Sequence, residues 1–160
     1  MKKPRRILVL SSGGGHWVQL QRLRPAWRGC QVHYATTDAA QQGPLEEKLR
    51  ADGEKIAGFH VFAEANRWQK LKLARQLAQI AWIIGRVRPD AIVTTGAAPG
   101  YFALRLGKLF GAKTVWVDSI ANAAELSLSG SRVGPYANLW LTQWADLAQA
   151  DGPEYAGSVI

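Results

Sequence analysis

Cysteine, acidic side chains and long apolar runs are all scarce in this sequence, and each shortage removes a class of protein. The single cysteine, Cys30, cannot form an intramolecular disulfide, so a disulfide-stapled extracellular scaffold is excluded. It also adds no ligand to His16, His33 and His60, whose spacing is not that of a metal site, so no metal and no cofactor is expected. The apolar stretch behind the basic start (Lys2, Lys3, Arg5, Arg6) runs only from Ile7 to Leu10. That is too short for a signal-peptide core or a membrane span, which predicts a chain kept in the cytoplasm. No G-x-S-x-G elbow is present, and no Gly-Lys-Ser/Thr follows a glycine-rich turn to make a P-loop. Acidic residues number 12 against 20 Lys and Arg, for a net charge of +8. Such an excess points to an anionic partner: nucleic acid, an acidic membrane surface or a phosphate-bearing substrate.

What is present is a chain of 160 residues, 48% apolar and 20% charged, the composition of one ordinary globular domain spanning 1–160. Short apolar or alternating runs predict strands at Ile7–Leu10, Gln31–Ala35, Gly58–Ala63, Ala91–Thr95, Lys113–Val117, Asn138–Thr142 and Ser158–Ile160. Helical patterns fall between them: His16–Trp27, Leu45–Arg50, Arg67–Arg88 with Asn66 as its cap and Pro89 as its stop, Tyr101–Phe110, and a short one over Trp144–Gln149. Several strands are apolar on both faces. Alternation of this kind predicts a doubly wound, parallel, Rossmann-like α/β sheet.

In such sheets ligands bind beyond the carboxyl ends of the strands. Two small-residue turns are expected there, Ser12-Gly13-Gly14-Gly15 after the first strand and Gly96-Ala97-Ala98-Pro99-Gly100 after the fourth. Glycines let backbone N–H groups approach an anion, and the following helix adds its positive end. His16 then points into the same cleft. A dinucleotide fingerprint fails, because the third glycine of G-x-G-x-x-G falls on Val18, and the acidic residue after strand two is offered early, by Asp38. A phosphate site remains. Asp118 and Glu125, after strand five, offer carboxylates for acid–base work or for orienting His16; a helix cap is the plainer role for each. His33 and His60, inside strands, read as structural.

Between Ala65 and Pro89 there are six basic residues and no acidic one. At about 100° per residue, Leu73, Leu77, Ile80 and Ile84 share one face, which should pack on the sheet. Nearly opposite lie Trp68, Leu71, Lys72, Arg75, Trp82 and Arg86. Indole rings at headgroup depth and cations meeting lipid phosphates are what an interfacial membrane helix presents. Nucleic acid uses similar faces, but no recognised nucleic-acid motif accompanies this one, so none is expected as a partner.

Ser11-Ser-Gly-Gly-Gly-His16, Arg86-Val-Arg-Pro-Asp-Ala-Ile-Val93, Gly96–Gly100, Val117-Asp-Ser-Ile120, Leu126-Ser-Leu-Ser-Gly130, Ala137 and Thr142-Gln-Trp144 occur in that order. With them the chain resembles the acceptor-side, membrane-anchoring subunit of the split N-acetylglucosaminyltransferase of dolichol-linked oligosaccharide synthesis (the asparagine-linked glycosylation fourteen-like family), in its bacterial exopolysaccharide and capsule branch. The resemblance implies half of a GT-B glycosyltransferase, its N-terminal, acceptor-binding half. A separate donor-binding subunit would complete an inverting, metal-independent enzyme acting on a polyprenyl-diphosphate-linked sugar at the inner face of the cytoplasmic membrane. It implies acceptor contacts from Ser12, Gly13, Gly14, Gly15, Gly96, Ala97, Pro99 and Gly100, and chemistry from His16 or Asp118. Eukaryotic members carry an N-terminal hydrophobic anchor and Glu before Ser; here no such anchor is expected, and Asp118 precedes Ser119. Membrane attachment is then expected of Trp68, Lys72, Arg75, Trp82 and Arg86, and contact with the partner near Ile160. Two other readings stand beside this one: a non-catalytic anchor that recruits the catalytic subunit, and a self-sufficient nucleotide-dependent Rossmann enzyme.

Overall fold

The computed structural model describes residues 3–159, so Lys2 and the strand end expected at Ile160 lie outside the described residues. Seven strands, β1 (Arg6–Leu10), β2 (Gln31–Thr36), β3 (Gly58–Val61), β4 (Ala91–Thr94), β5 (Lys113–Val117), β6 (Leu139–Thr142) and β7 (Glu154–Tyr155), form one sheet in the order β3-β2-β1-β4-β5-β6-β7. Every pairing is parallel. The helices are α1 (Gly15–Arg22), α2 (Gln42–Ala51), α3 (Lys70–Val87) and α4 (Ala97–Leu109).

Alternation along the central strands divides the core. Leu8, Leu10 and Ile92 pack with Ile80, Ile83 and Ile84 of α3 and Leu104 of α4. Val9 and Val93 point to the other side, with Trp17 and Leu20 of α1 and Leu45 and Leu49 of α2. Both faces are therefore covered, as a parallel sheet requires. Each fully buried isoleucine or leucine contributes about 1.5–3 kcal/mol relative to exposure. The chain winds outward from β1 to β3, then returns to β4 on the other side of β1. The carboxyl ends of β1 and β4 thus flank the switch point where doubly wound folds bind ligands.

Several boundaries differ from the sequence reading. Helix α1 stops at Arg22, and a 3₁₀ turn with Pro25 near its start continues to Trp27. Helix α3 begins at Lys70, because the Asn66 side chain accepts from the Trp68 N–H (3.1 Å) and closes a local turn instead of capping the helix. Its core stripe is rotated slightly, to Gln76, Ile80, Ile83, Ile84 and Val87. Gln76 is buried because its amide donates to the Ala63 carbonyl (2.8 Å), while Gln79 accepts the Ala63 N–H (2.7 Å). Helix α4 begins inside the expected turn, at Ala97, since proline is tolerated in a first helical turn and Pro99 sits there. The segment after Trp144 is a 3₁₀ turn, Ala145–Leu147, and the last strand pairs at Glu154–Tyr155, before Ser158.

Candidate functional site

The two small-residue turns meet because β1 and β4 are neighbours in the sheet, Leu10 lying beside Thr94. Ser12 and Gly13 leave β1 half-buried, and the Gly13 N–H donates to Thr37 Oγ1 (3.0 Å), tying the turn to the end of β2. Gly14 (φ 70°, ψ −139°) precedes α1 and Gly96 (φ 124°, ψ −160°) precedes α4. Both need glycine's freedom. A side chain on Gly96 would also press to 3.1 Å from the His16 ring, and one on Gly100 would collide with Thr94. Pro99 and Gly100 are buried, so they shape the turn from beneath, whereas Ala97 is half-buried with φ 62°. A non-glycine residue in that region stores about 1–3 kcal/mol of strain.

Neither helix has a side-chain cap or an acidic residue in its first turn. The leading N–H groups of α1 (Gly15, His16, Trp17) and of α4 (Ala97, Ala98) therefore have no side-chain acceptor, and Pro99 has no N–H to offer. Each helix start carries roughly half a positive elementary charge. Two such ends over adjacent strands form a cradle of positive potential, a setting that favours an anion.

His16 stands between the turns. Its Nδ1 lies 3.0 Å from the Thr95 carbonyl, and Thr95 Oγ1 donates to the His16 carbonyl at 2.7 Å. A carbonyl only accepts, so Nδ1 carries the proton and Nε2 of the neutral ring is left with its lone pair.

Asp118 sits in different surroundings from the open cleft edge expected of it. It is 1% exposed, and its carboxylate accepts from Trp116 Nε1 (3.1 Å), Ser127 Oγ (2.7 Å), Ser127 N (3.1 Å) and Asn122 Nδ2 (3.2 Å). These bonds fold the connection from Ser119 to Gly130 back on itself. Glu125 is exposed on the same connection. Two residues that sequence reasoning passed over fasten it to the cradle helix. Gln19 of α1 donates to Ser119 Oγ (3.1 Å) and accepts from Ile120 N (3.0 Å) and from Gln143 Nε2 (2.8 Å). Gln143 in turn donates to the Asp118 carbonyl (2.9 Å). Position in the sequence gave a partial signal, since Gln143 lies in the Thr142-Gln-Trp144 segment; nothing local marks Gln19. Asp38 is spent capping the turn after β2, where Gln41 Nε2 (2.8 Å) and Ala40 N (3.0 Å) donate to it; these two bonds hold its carboxyl below the usual range.

On the far side of the sheet from α1, α3 shows solvent the face expected of it. Trp82 (62%) and Leu71 (88%) are exposed, as are Lys72, Arg75 and Arg86; Trp68 (78%) belongs to the turn before the helix. Arg86 lies over the Trp82 ring (5.6 Å) and Arg67 over Trp68 (4.8 Å). Among the described residues the ion pairs are Arg24–Asp52 and Arg28–Glu54, so the cations of α3 have no acidic partner there. None of the helices among the described residues is long and apolar enough to cross a membrane.

No protein-family model matches the chain. It is similar to the UDP-N-acetylglucosamine transferase subunit ALG14 of Eremothecium gossypii, 28% identical over 170 residues, covering 91% of this chain and 75% of that protein. The corresponding subunit of Schizosaccharomyces pombe is 39% identical over 79 residues, 44% of this chain and 37% of the relative. Among solved structures, Acinetobacter baumannii MurG superposes with a TM-score of 0.70 at 13% identity, over 98% of this chain and 46% of MurG. A UDP-N-acetylglucosamine 2-epimerase superposes with a TM-score of 0.69 at 11% identity, over 98% of this chain and 49% of the epimerase. The chain spans less than half the length of these solved structures. Its fold is the Rossmann-like α/β fold of the N-terminal half of GT-B glycosyltransferases such as MurG. The likeness to the ALG14 subunits supports a glycosyltransferase-related role.

Proposed function

We propose that this chain is the acceptor-side subunit of a two-component inverting glycosyltransferase. It holds a polyprenyl-diphosphate-linked sugar at the cytoplasmic membrane surface while a separate subunit delivers the nucleotide sugar. The observation that carries this reading is the pair of helix starts without side-chain caps, meeting over β1 and β4 with His16 between them. The diphosphate sits against the N–H groups of Gly14, Gly15, Ala97 and Ala98, with Ser12 and Gly13 along its edge. The acceptor hydroxyl attacks the anomeric carbon of the donor sugar; the new C–O bond forms as the bond to the nucleotide diphosphate breaks. Nε2 of His16 takes the hydroxyl proton, and Nδ1–H stays on the Thr95 carbonyl, which fixes the ring for that transfer. Asp118 acts as a positioning residue: with four donors on its carboxylate, it holds the Ser119–Gly130 connection at the edge of the cleft.

The name borne by the ALG14 relatives, a UDP-N-acetylglucosamine transferase subunit, supports the two-component arrangement. The solvated Trp68, Leu71 and Trp82 with Lys72, Arg75 and Arg86 support peripheral attachment to anionic lipid, and surface polysaccharide synthesis in bacteria is the setting we favour. The alternative is a scaffold that recruits the catalytic subunit and supplies no chemical group. Reconstituting the chain with its partner separates the two. For a participating subunit, His16→Ala lowers kcat by about 10²–10⁴-fold while assembly and vesicle binding persist; unchanged turnover would sink the chemical role.

A further inference from the structure

We propose that the groove between α3 and α4 holds the first units of the acceptor's polyprenyl chain, an inference that rests on the acceptor-subunit reading above. The groove has a volume of about 710 Å³, within the range of about 300–1,000 Å³ typical of small-molecule sites. Its apolar lining comes from Leu77, Ala78 and Ala81 on α3 and from Phe102, Leu106 and Leu109 on α4. The two alanines keep one wall low. The opposite wall is held open, because Arg105 stacks over Tyr101 (5.8 Å) and Tyr136 (5.0 Å) and Lys108 Nζ donates to the Pro135 carbonyl (2.8 Å). The groove is therefore preformed and does not depend on a ligand to part the helices.

Position and charge select the occupant. Helix α4 starts at the anion cradle with Ala97, and Phe102 comes five residues later, roughly 8 Å along the axis at 1.5 Å per residue. A chain attached to a diphosphate at that helix start thus meets the groove within its first units. At the other end Leu109 (83%) and Phe110 (58%) are exposed, and Trp82 follows Ala81 onto the cationic face of α3. The apolar path therefore runs from the cradle to the surface that faces lipid. Arg105 and Lys108 border it and no acidic residue lines it, which suits a ligand with an anionic head. A straight-chain bilayer lipid would enter only from the membrane end and would make no use of the cradle.

Calorimetric titration of the full chain with farnesyl diphosphate, inorganic diphosphate and farnesol tests this. Farnesyl diphosphate should bind at least tenfold tighter than inorganic diphosphate. Ala78→Trp and Ala81→Phe, both at the groove surface, should each erase that advantage while leaving inorganic diphosphate unaffected. Equal affinity of the two diphosphates for the unaltered chain, or an advantage surviving both substitutions, overturns the proposal. So does displacement of farnesyl diphosphate by a lysophospholipid at equal concentration, which would make this a bilayer-lipid site. So too does loss of assembly with the donor-binding subunit in the groove variants, which would give the groove to a protein. Failure of the transferase reading is seen separately. If the reconstituted pair shows no turnover but the farnesyl advantage holds, the groove stands alone. If neither diphosphate binds, the cradle falls, and farnesol binding that is lost in both variants supports the groove while its absence overturns it.

Discussion

Thr95 and His16 are bonded to each other twice, the Thr95 hydroxyl donating to the His16 carbonyl at 2.7 Å and the His16 Nδ1–H to the Thr95 carbonyl at 3.0 Å. One contact ties the start of α1 to the end of β4, and the other aims an imidazole. The two functions separate in His16→Asn. An asparagine amide can donate to the Thr95 carbonyl in place of Nδ1, but it has no basic nitrogen at the Nε2 position. Melting temperature should stay close to that of the parent, while kcat of the reconstituted pair falls about 10²–10⁴-fold. Calorimetry and steady-state kinetics on the same preparation check both halves.

Membrane attachment by α3 predicts a dependence on both indoles and cations. Trp68→Ser with Trp82→Ser should lower co-sedimentation with anionic vesicles several-fold. A cation near an anionic surface contributes about 1 kcal/mol, so Lys72→Gln with Arg75→Gln should cost about 2 kcal/mol, roughly thirtyfold in partitioning. The remaining binding should weaken as salt is raised, because the Debye length is about 10 Å at 0.1 M and about 3 Å at 1 M. Binding that ignores both pairs of substitutions would return those side chains to packing and solvation.

The sheet was legible because its physics is local. A buried parallel strand needs only a short apolar run with a turn behind it, and Ile7–Leu10 and Ala91–Thr95 supply both. Helix starts were less legible because unlike structures share one signal. Asn66 closes an Asx turn with the pattern of an N-cap, and Gly96-Ala-Ala-Pro-Gly100 spells a turn where it forms the first turn of α4. The two neighbouring turns were readable from their glycines, but the contacts that support them were not. Gln19 reaches Ser119 across 100 residues and Gln143 across 124, and no window along the sequence contains such a pair. The edge of the sheet was misjudged for a related reason: β7 is a two-residue pairing set by its neighbour β6, too short to leave a pattern of its own.

A pH effect follows from the histidines read as structural. His33 and His60 stack with ring centroids 5.5 Å apart, and His33 Nδ1 lies 3.2 Å from His60 Nε2, so one proton bridges them. Burial, and then the Arg6 charge, pushes His33 below its ordinary value. Burial, then His33 and Arg86, does the same to His60. Both imidazoles thus bind protons less readily in the fold than in the unfolded chain, whose histidines titrate near about 6.5. As pH falls through that value the unfolded state takes up protons first, and stability declines toward the lower folded values. Urea midpoints measured from pH 7.5 to 5.5 should drop, with a shallower drop in His33→Asn or His60→Asn. His16 is present in all three proteins, so the difference in slope belongs to the stacked pair.

Asp118 is where the catalytic and the architectural readings of a carboxylate part. A base must have a free lone pair facing the substrate, and this one is 1% exposed with four donors directed at it. Asp118→Asn keeps the shape but turns one acceptor oxygen into an N–H₂ group, which then faces donors from Ser127, Asn122 or Trp116. A buried polar group left unpaired costs about 1–3 kcal/mol, so the melting temperature should fall and the connection from Ser119 to Gly130 should exchange its amide hydrogens faster. On the proposal that this connection borders the cleft while His16 takes the proton, KM for the acceptor should rise more than kcat falls. The pH–rate profile should keep its shape, because the proton acceptor proposed for turnover is His16. A profile that lost its acidic limb in Asp118→Asn would instead make Asp118 the base and return His16 to the task of bonding Thr95.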